Sequence, residues 1–414
     1  MDYQPRVIDA ALLASLEAVG AVVIEGPKAC GKTETARRAA RSEVRFDTVA
    51  ARQAFAVAPA LILEGPTPRL LDEWQVEPSL WNEVRHAVDD RRVKGQFILT
   101  GSAVPRDDLG RHPGPGRFIH LRMRPMSLAE TGHSTGRASL SVILAGEPVE
   151  APDPGLTVEQ IAERIVVGGW PGHLGLTPAQ ALRAMQGYID DVCRVDVPRV
   201  DGVRRDPVGV RALINSLARN VATPATLASL TKDAAGPDRD MKVDTTRGYL
   251  GALERLMIVD DVPAWKPDLR SKTRLRSASI RHLADPSLAT AALNANPRRL
   301  LGDLSWMGFL FESMVVRDLR VFSAALGGEI FHYRDNTGLE ADAIIELPDG
   351  EWAAFEIKLG STPTVTDRAA AALLTLRDRV TGRPPKALVI VTGTGFAFRR
   401  PDGVLQIPAA TLAA

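Results

Sequence analysis

The sequence predicts an α/β protein of several domains: an N-terminal parallel sheet around a phosphate loop, a helical middle, and a C-terminal α/β domain. Three observations lead there. The run "AVVIE" (21–25) passes straight into "GPKACGKT" (26–33) and a helical "ETARRAARS". Residues 224–262 read as helix, polar gap, helix, strand. From about residue 303 the order is helix, three strands, helix, strand. A chain of 414 residues is too long for one ordinary domain. The boundaries are expected at 1–135, 136–220, 221–295 and 296–414.

Composition narrows the function classes. A net charge of +1 provides no global field for nucleic acid or membrane, so any basic surface must be local. Two cysteines, Cys30 and Cys193, make no disulfide framework and fit a reducing cytosol. The N-terminal "MDYQPRVIDAALLASL" has early acids and no signal-length apolar core, and no run approaches a membrane span. A cytoplasmic location without membrane partners is the expectation.

The first element is the phosphate loop in its required context, strand before and helix after. Gly26 and Gly31 let the backbone bend until its N–H groups face phosphate oxygens. Pro27, Lys28, Ala29 and Cys30 complete the loop, with Cys30 read as a tolerated small side chain. Lys32 is expected on the β/γ-phosphates of ATP, and Thr33 on Mg²⁺. Chance produces the motif in roughly one chain in a hundred of this length.

A second strand ending in acid should follow, and "PRLLDEWQ" (68–75) supplies it. Asp72 is expected in the Mg²⁺ shell and Glu73 as the group that polarises the attacking water. Capping acids at a helix start would look the same in isolation. A third strand, "GQFILTGSA" (95–103), ends in hydroxyls, so Thr100 or Ser102 can sense the γ-phosphate. "GRFIHLRMRPMSLAE" (116–130) brings Arg117, Arg122 and Arg124; one of them, with Arg117 chosen, is a candidate arginine finger in a homo-oligomer, and surface arginines around a turn are the bland alternative.

Residues 131–157, rich in Gly, Ser and Pro, read as a connector, and "VVGGWPGHL" (166–174) as a tight turn. Residues 178–220 read as helical with a solvated charged face. In 224–262 the pattern is that of a winged helix, with Lys242 and Arg247 near the start of the second helix. The basic stretch 265–282 would be its wing, able to meet DNA phosphates or only solvent.

In the last third a long amphipathic helix carrying Glu312 precedes strands at 329–335, 340–348 and 351–359, with "PDG" as the turn between the last two. Asp342 lies on the second strand. Glu356 and Lys358 alternate onto one face of the third. Asp342, Glu356 and the Ile357 carbonyl can ligate Mg²⁺, with Glu312 completing its surroundings and Lys358 orienting the attacking water. An edge-strand ion pair is the bland alternative. This order of acids and lysine resembles the PD-(D/E)xK nuclease superfamily. The whole chain, through "GPKACGKT", "LLDEWQ", "ILTGS", "GGWP", "EADAII" and "FEIK", resembles a widespread group of prokaryotic AAA-type ATPases. That resemblance implies an ATPase with a winged-helix middle and a restriction-nuclease-like C-terminus. Two departures are mild: Trp74 follows the acid pair, and the third strand ends "GSA". The expected function is an ATP-hydrolysing, DNA-associated enzyme with a metal-dependent nuclease-like domain. The alternative is an ATP-driven switch whose nuclease-like domain binds without cutting; a small-molecule kinase ranks last.

Overall fold

The computed structural model describes residues 3–103, 114–236, 241–266 and 278–414. The N-terminal sheet has five strands, all parallel: β1 (Ala21–Glu25), β2 (Ser42–Arg45), β3 (Arg69–Asp72), β4 (Phe97–Gly101) and β5 (Phe118–Arg122), in the order β2-β3-β4-β1-β5. The inner strands β1, β3 and β4 carry short apolar runs that are buried on both faces, which is why they read as continuous hydrophobic segments, whereas the edge strands β2 and β5 are half exposed. The parallel register brings Glu25, Asp72, Gly101 and Arg122 to one end of the sheet. Loops at strand C-termini are where such sheets bind ligands.

The middle is a stack of helices. Val158–Val167 and Pro178–Asp191 both begin with a Thr-x-x-Gln capping box, from Thr157 and Thr177. The second continues into a five-residue π-helical turn, Val192–Asp196. Pro207–Arg219, Leu227–Ala235 and Val243–Arg255 follow. The stretch expected as the strand "DDVPAW" makes isolated bridges, Val259 to Leu283, Val262 to Ile280 and Ala264 to His332. Most of the expected wing, residues 267–277, lies outside the described residues.

Two short strands, β6 (Ala138–Ser139) and β13 (Leu412–Ala413), pair in parallel. Thus the expected connector 131–157 is clamped by the last residues of the chain. Its Leu140, Ile143 and Leu144 are buried. Small and turn residues dominate the composition of this stretch, but Ala138, Val149 and Ala151 are buried as well.

The C-terminal sheet has six strands in the order β11-β12-β10-β9-β8-β7. They are β7 (Glu329–Arg334), β8 (Glu340–Glu346), β9 (Trp352–Lys358), β10 (Ala387–Thr392), β11 (Phe398–Arg399) and β12 (Leu405–Pro408). The pairs β7/β8 and β8/β9 are antiparallel; β9/β10 and β10/β12 are parallel, the first through the crossover helix Pro363–Arg379. The long helix Leu304–Ala325 packs on this sheet and is buried along most of its length.

One hydrophobic cluster runs from Leu12 through Ile165, Leu213 and Met314 to Leu412, so all three regions share a core. Charged side chains of the long helix also reach across. Asp318 accepts from the Leu128 amide (3.0 Å), and Arg317 pairs with Asp285 at 2.5 Å. Asp285 in turn accepts from Gly169 N (3.0 Å), fixing the "GGWP" turn. A Cβ at Gly169 would collide with the backbone of Met126, which accounts for glycine there.

Candidate functional sites

The loop Gly26–Thr33 turns at the end of β1. Ala29 (φ 63°) and Gly31 (φ 108°) take the left-handed conformation that folds it back. At Gly26 a Cβ would meet the Met123 carbonyl. The Lys32 ammonium spans the loop, donating to the carbonyls of Gly26 and Pro27 at 2.9 Å each. The Cys30 thiol faces away from the loop mouth, toward the Met123 carbonyl. Arg6 braces the outside of the loop, donating to the Cys30 carbonyl (2.9 Å) and the Arg124 carbonyl (2.8 Å).

Asp72 ends β3 beside the loop. Thr33 Oγ1 donates to its Oδ1 at 2.9 Å, and the Thr100 hydroxyl donates to the same oxygen. A carboxylate with two hydroxyls is a hard oxygen set that fits Mg²⁺ alongside waters and phosphate. Glu73 takes a left-handed backbone (φ 56°) directly after the strand. Its carboxylate accepts from Ser102 Oγ (3.1 Å) and from the Gln75 amide, which also donates to Ser102 (3.2 Å). Loop lysine, threonine, both acids and both hydroxyls therefore share one end of the sheet. A cavity of about 280 Å³ lies against Gly31 of the loop, lined also by Tyr3, Thr35, Pro171 and Leu174 and by none of the side chains just named.

Arg117 is not brought there. It precedes β5, whose first residue Phe118 stands beside Ala21 at the start of β1, so it lies at the end of the sheet remote from the loop. Its guanidinium pairs with Asp89 at 2.8 Å. The expected finger thus cannot serve the nucleotide of its own chain. Arg122 and Arg124, at the loop end, converge instead on Asp260 of the middle region, at 3.9 and 2.6 Å, where Arg320 of the long helix joins them at 2.7 Å. No spacing rule could have found this cluster, since Asp260 lies 136 residues from Arg124 and 60 from Arg320 in sequence.

The second set of charges gathers on β8, β9 and the long helix. Lys358 Nζ bridges Asp342 Oδ2 (2.8 Å) and Glu356 Oε2 (2.6 Å). The Ile357 amide also donates to Asp342 (2.7 Å). Burial and the Asp342 charge push the Glu356 carboxyl up to about 8, against the pull of Lys358. Burial and Asp342 likewise raise Glu312 well above its usual range. Burial would lower Lys358, but Asp342 and Glu356 outweigh it and hold the ammonium charged. Three carboxyls crowd one ammonium, and burial together with their mutual repulsion favours the protonated forms of Glu312 and Glu356. Among the described residues no three His, Cys, Asp or Glu side chains close into a metal cage. A cation here would rest on Asp342 and Glu356 plus waters, the sparse ligation Mg²⁺ accepts. A cavity of about 240 Å³ opens over these charges, with Phe309, Tyr333 and Pro224 in its walls.

The expected basic run at 265–282 is turned inward at its described C-terminal end. Arg281 pairs with Asp261 and donates to the Ala225 carbonyl, and His282 is buried. Arg247 is exposed and pairs with Asp244.

A loop shaped for phosphate at the end of a central parallel strand, with an acid at the same end of the strand one place beyond its neighbour, defines a P-loop nucleotide-hydrolase domain. Comparison with known families agrees: residues 19–132 match the AAA domain family. The chain's N-terminal region is an AAA-type P-loop ATPase domain, and two further stretches match domains of unknown function, DUF8612 over 158–299 and DUF4143 over 307–412. Among solved structures, a Walker-type ATPase of Pyrococcus abyssi is similar over 70% of this chain and 99% of its own, with 14% identity and a TM-score of 0.43. No curated protein matches the chain. Among the described residues, no helix is long and apolar enough to cross a membrane.

Proposed function

We propose that the protein couples ATP hydrolysis to a phosphodiester-binding site in its C-terminal domain, with DNA as the partner. Lys32 and the loop amides hold the β/γ-phosphates, Thr33 and Asp72 hold Mg²⁺, and Glu73, set by Ser102 and Gln75, orients the attacking water. The convergence of Thr33 and Thr100 on one oxygen of Asp72 carries this part of the reading. When bound, Mg²⁺ neutralises charge on the phosphates. Phosphate release by wild type, Lys32→Ala and Glu73→Gln is the test. Lys32→Ala should lose nucleotide affinity, whereas Glu73→Gln should bind ATP and turn over at least about a hundredfold more slowly.

In the C-terminal domain, Asp342 and Glu356 would hold a divalent cation, and Lys358 would face the phosphodiester. The excess of carboxyls over cations around Lys358 carries this reading. The helices Leu227–Ala235 and Val243–Arg255, with the bridges after them, support a winged helix that presents DNA to that cavity. Labelled linear, single-stranded and branched DNA, incubated with Mg²⁺ or Mn²⁺ with and without ATP, should be cut by wild type and not by Asp342→Ala. A second reading has its own observation: Lys358 already bridges both acids, as in a domain that binds without cutting. Intact ATPase activity with no cleavage on any substrate would favour that switch.

A further inference from the structure

The phosphate loop carries two lysines, and the function above uses one. Lys32 lies inside, 5% exposed. Lys28 stands on the rim, with its side chain 47% exposed, and its ammonium pairs with Asp196 of the middle region, 168 residues away. The Asp196 side chain is 7% exposed, and among the described residues Lys28 is the cation paired with it. Asp196 closes the π-helical turn Val192–Asp196. The same face of the middle region touches the loop again: the Tyr188 hydroxyl donates to the Lys28 carbonyl at 3.4 Å. The Tyr188 ring lies 5.2 Å from Trp170, whose neighbour Pro171 lines the cavity beside the loop.

We propose that Lys28 is a sensor of the nucleotide's terminal phosphate, and that Asp196 is the carboxylate competing with that phosphate for its ammonium. Lys28 stands on the rim of the loop with its side chain half exposed, so its ammonium is free to turn toward a phosphate held at the loop's mouth. A lysine stem is long and flexible enough to serve either anion. A terminal phosphate carries more charge than one carboxylate and accepts stronger charge-assisted hydrogen bonds. With a nucleoside triphosphate bound, Lys28 turns inward and leaves Asp196 nearly buried without its counter-ion, an unfavourable state for a carboxylate. The π-helical turn is the local weak point that can respond. With a diphosphate, the Lys28 ammonium has no terminal phosphate to meet and stays on Asp196. The presence of that phosphate is thereby passed to the helical middle.

The test is equilibrium binding of ATPγS and ADP to the full-length chain. Lys28→Ala should weaken ATPγS about tenfold, the effect of one lost charge-assisted contact, while changing ADP less than about threefold. Lys28→Arg should restore most of the preference. Asp196→Asn frees the ammonium and should tighten ATPγS severalfold, leaving ADP unchanged. Lys32→Ala is the control: it should lose both nucleotides, and if it does not, the nucleotide site itself is misassigned. Equal losses of ATPγS and ADP in Lys28→Ala would overturn the proposal, because a lysine that merely braces the loop weakens both. An unchanged ATPγS affinity in Asp196→Asn would equally overturn it, since the carboxylate would then not compete.

Discussion

Replacing Asp260 with asparagine should loosen the junction between the ATPase sheet and the rest of the chain. The carboxylate lies 2.6 Å from Arg124, 2.7 Å from Arg320 and 3.9 Å from Arg122. Burial raises its pKa, but the three guanidinium groups outweigh burial and hold it well below the usual carboxylate range. Asparagine keeps the shape and removes the charge, leaving three guanidinium groups facing one another. Breaking a buried pair by removing one partner costs about 3–5 kcal/mol. Arg320 keeps its bonds to the carbonyls of Asp260 and Asp261, at 2.5 and 2.7 Å, and Arg122 is partly exposed, so the lower figure of about 3 kcal/mol applies. Asp261 next door is the internal control. Burial raises its pKa against the pull of Arg281, so its charge gains less from folding than that of Asp260, and Asp261→Asn should cost about 1 kcal/mol. Urea unfolding of both variants, read by tryptophan fluorescence at neutral pH, gives the comparison. A depressed folded pKa contributes stability present above the unfolded value near 4 and lost as pH falls below it. The gap between wild type and Asp260→Asn should therefore hold from about pH 8 to pH 5. Equal losses in the two variants would refute the argument that the arginine cluster, rather than general packing, holds this junction.

Other outcomes follow from single positions. Gly169→Ala should destabilise the chain by at least about 2 kcal/mol, because its methyl group meets the Met126 backbone. Gly187→Ala, in the helix Pro178–Asp191 with open space around its Cβ, should instead stabilise by up to about 1 kcal/mol; thermal melts distinguish the two. His282 is buried, and burial and then Arg320 push its pKa down to about 3. Its neutral form is the folded one, so stability should fall by up to about 1.4 kcal/mol per pH unit as pH drops from near 6.5 toward 3. A His282→Gln chain should show a flatter unfolding profile over that window, and an unchanged slope would exclude His282 as the cause. Thr33→Val should keep nucleotide binding measurable without Mg²⁺ but lose most of the gain from added Mg²⁺, a difference read by titration with and without EDTA.

The sequence by itself determined the parts whose chemistry is local. A phosphate loop works through consecutive backbone amides, so glycine spacing after a strand specifies both its shape and its ligand. Asp72 and Glu73 were legible because strand ends in a parallel sheet meet at one edge. Glu356 and Lys358 shared a face because strand side chains alternate. Direction along the strand also separates Arg117, before β5 at the far end of the sheet, from Arg122 at the loop end. Composition misled at 131–157, where few apolar residues sit among turn formers, yet the strand Leu412–Ala413 pairs with Ala138 and Ser139, and Ala138 is buried. Only tertiary structure decided which charges meet: Arg124 with Asp260, Lys28 with Asp196, Lys358 between two acids. Ion pairs carry no periodicity along the chain. Their partners are chosen by where packing of the shared core brings distant segments together, and burial then sets how much each charge matters.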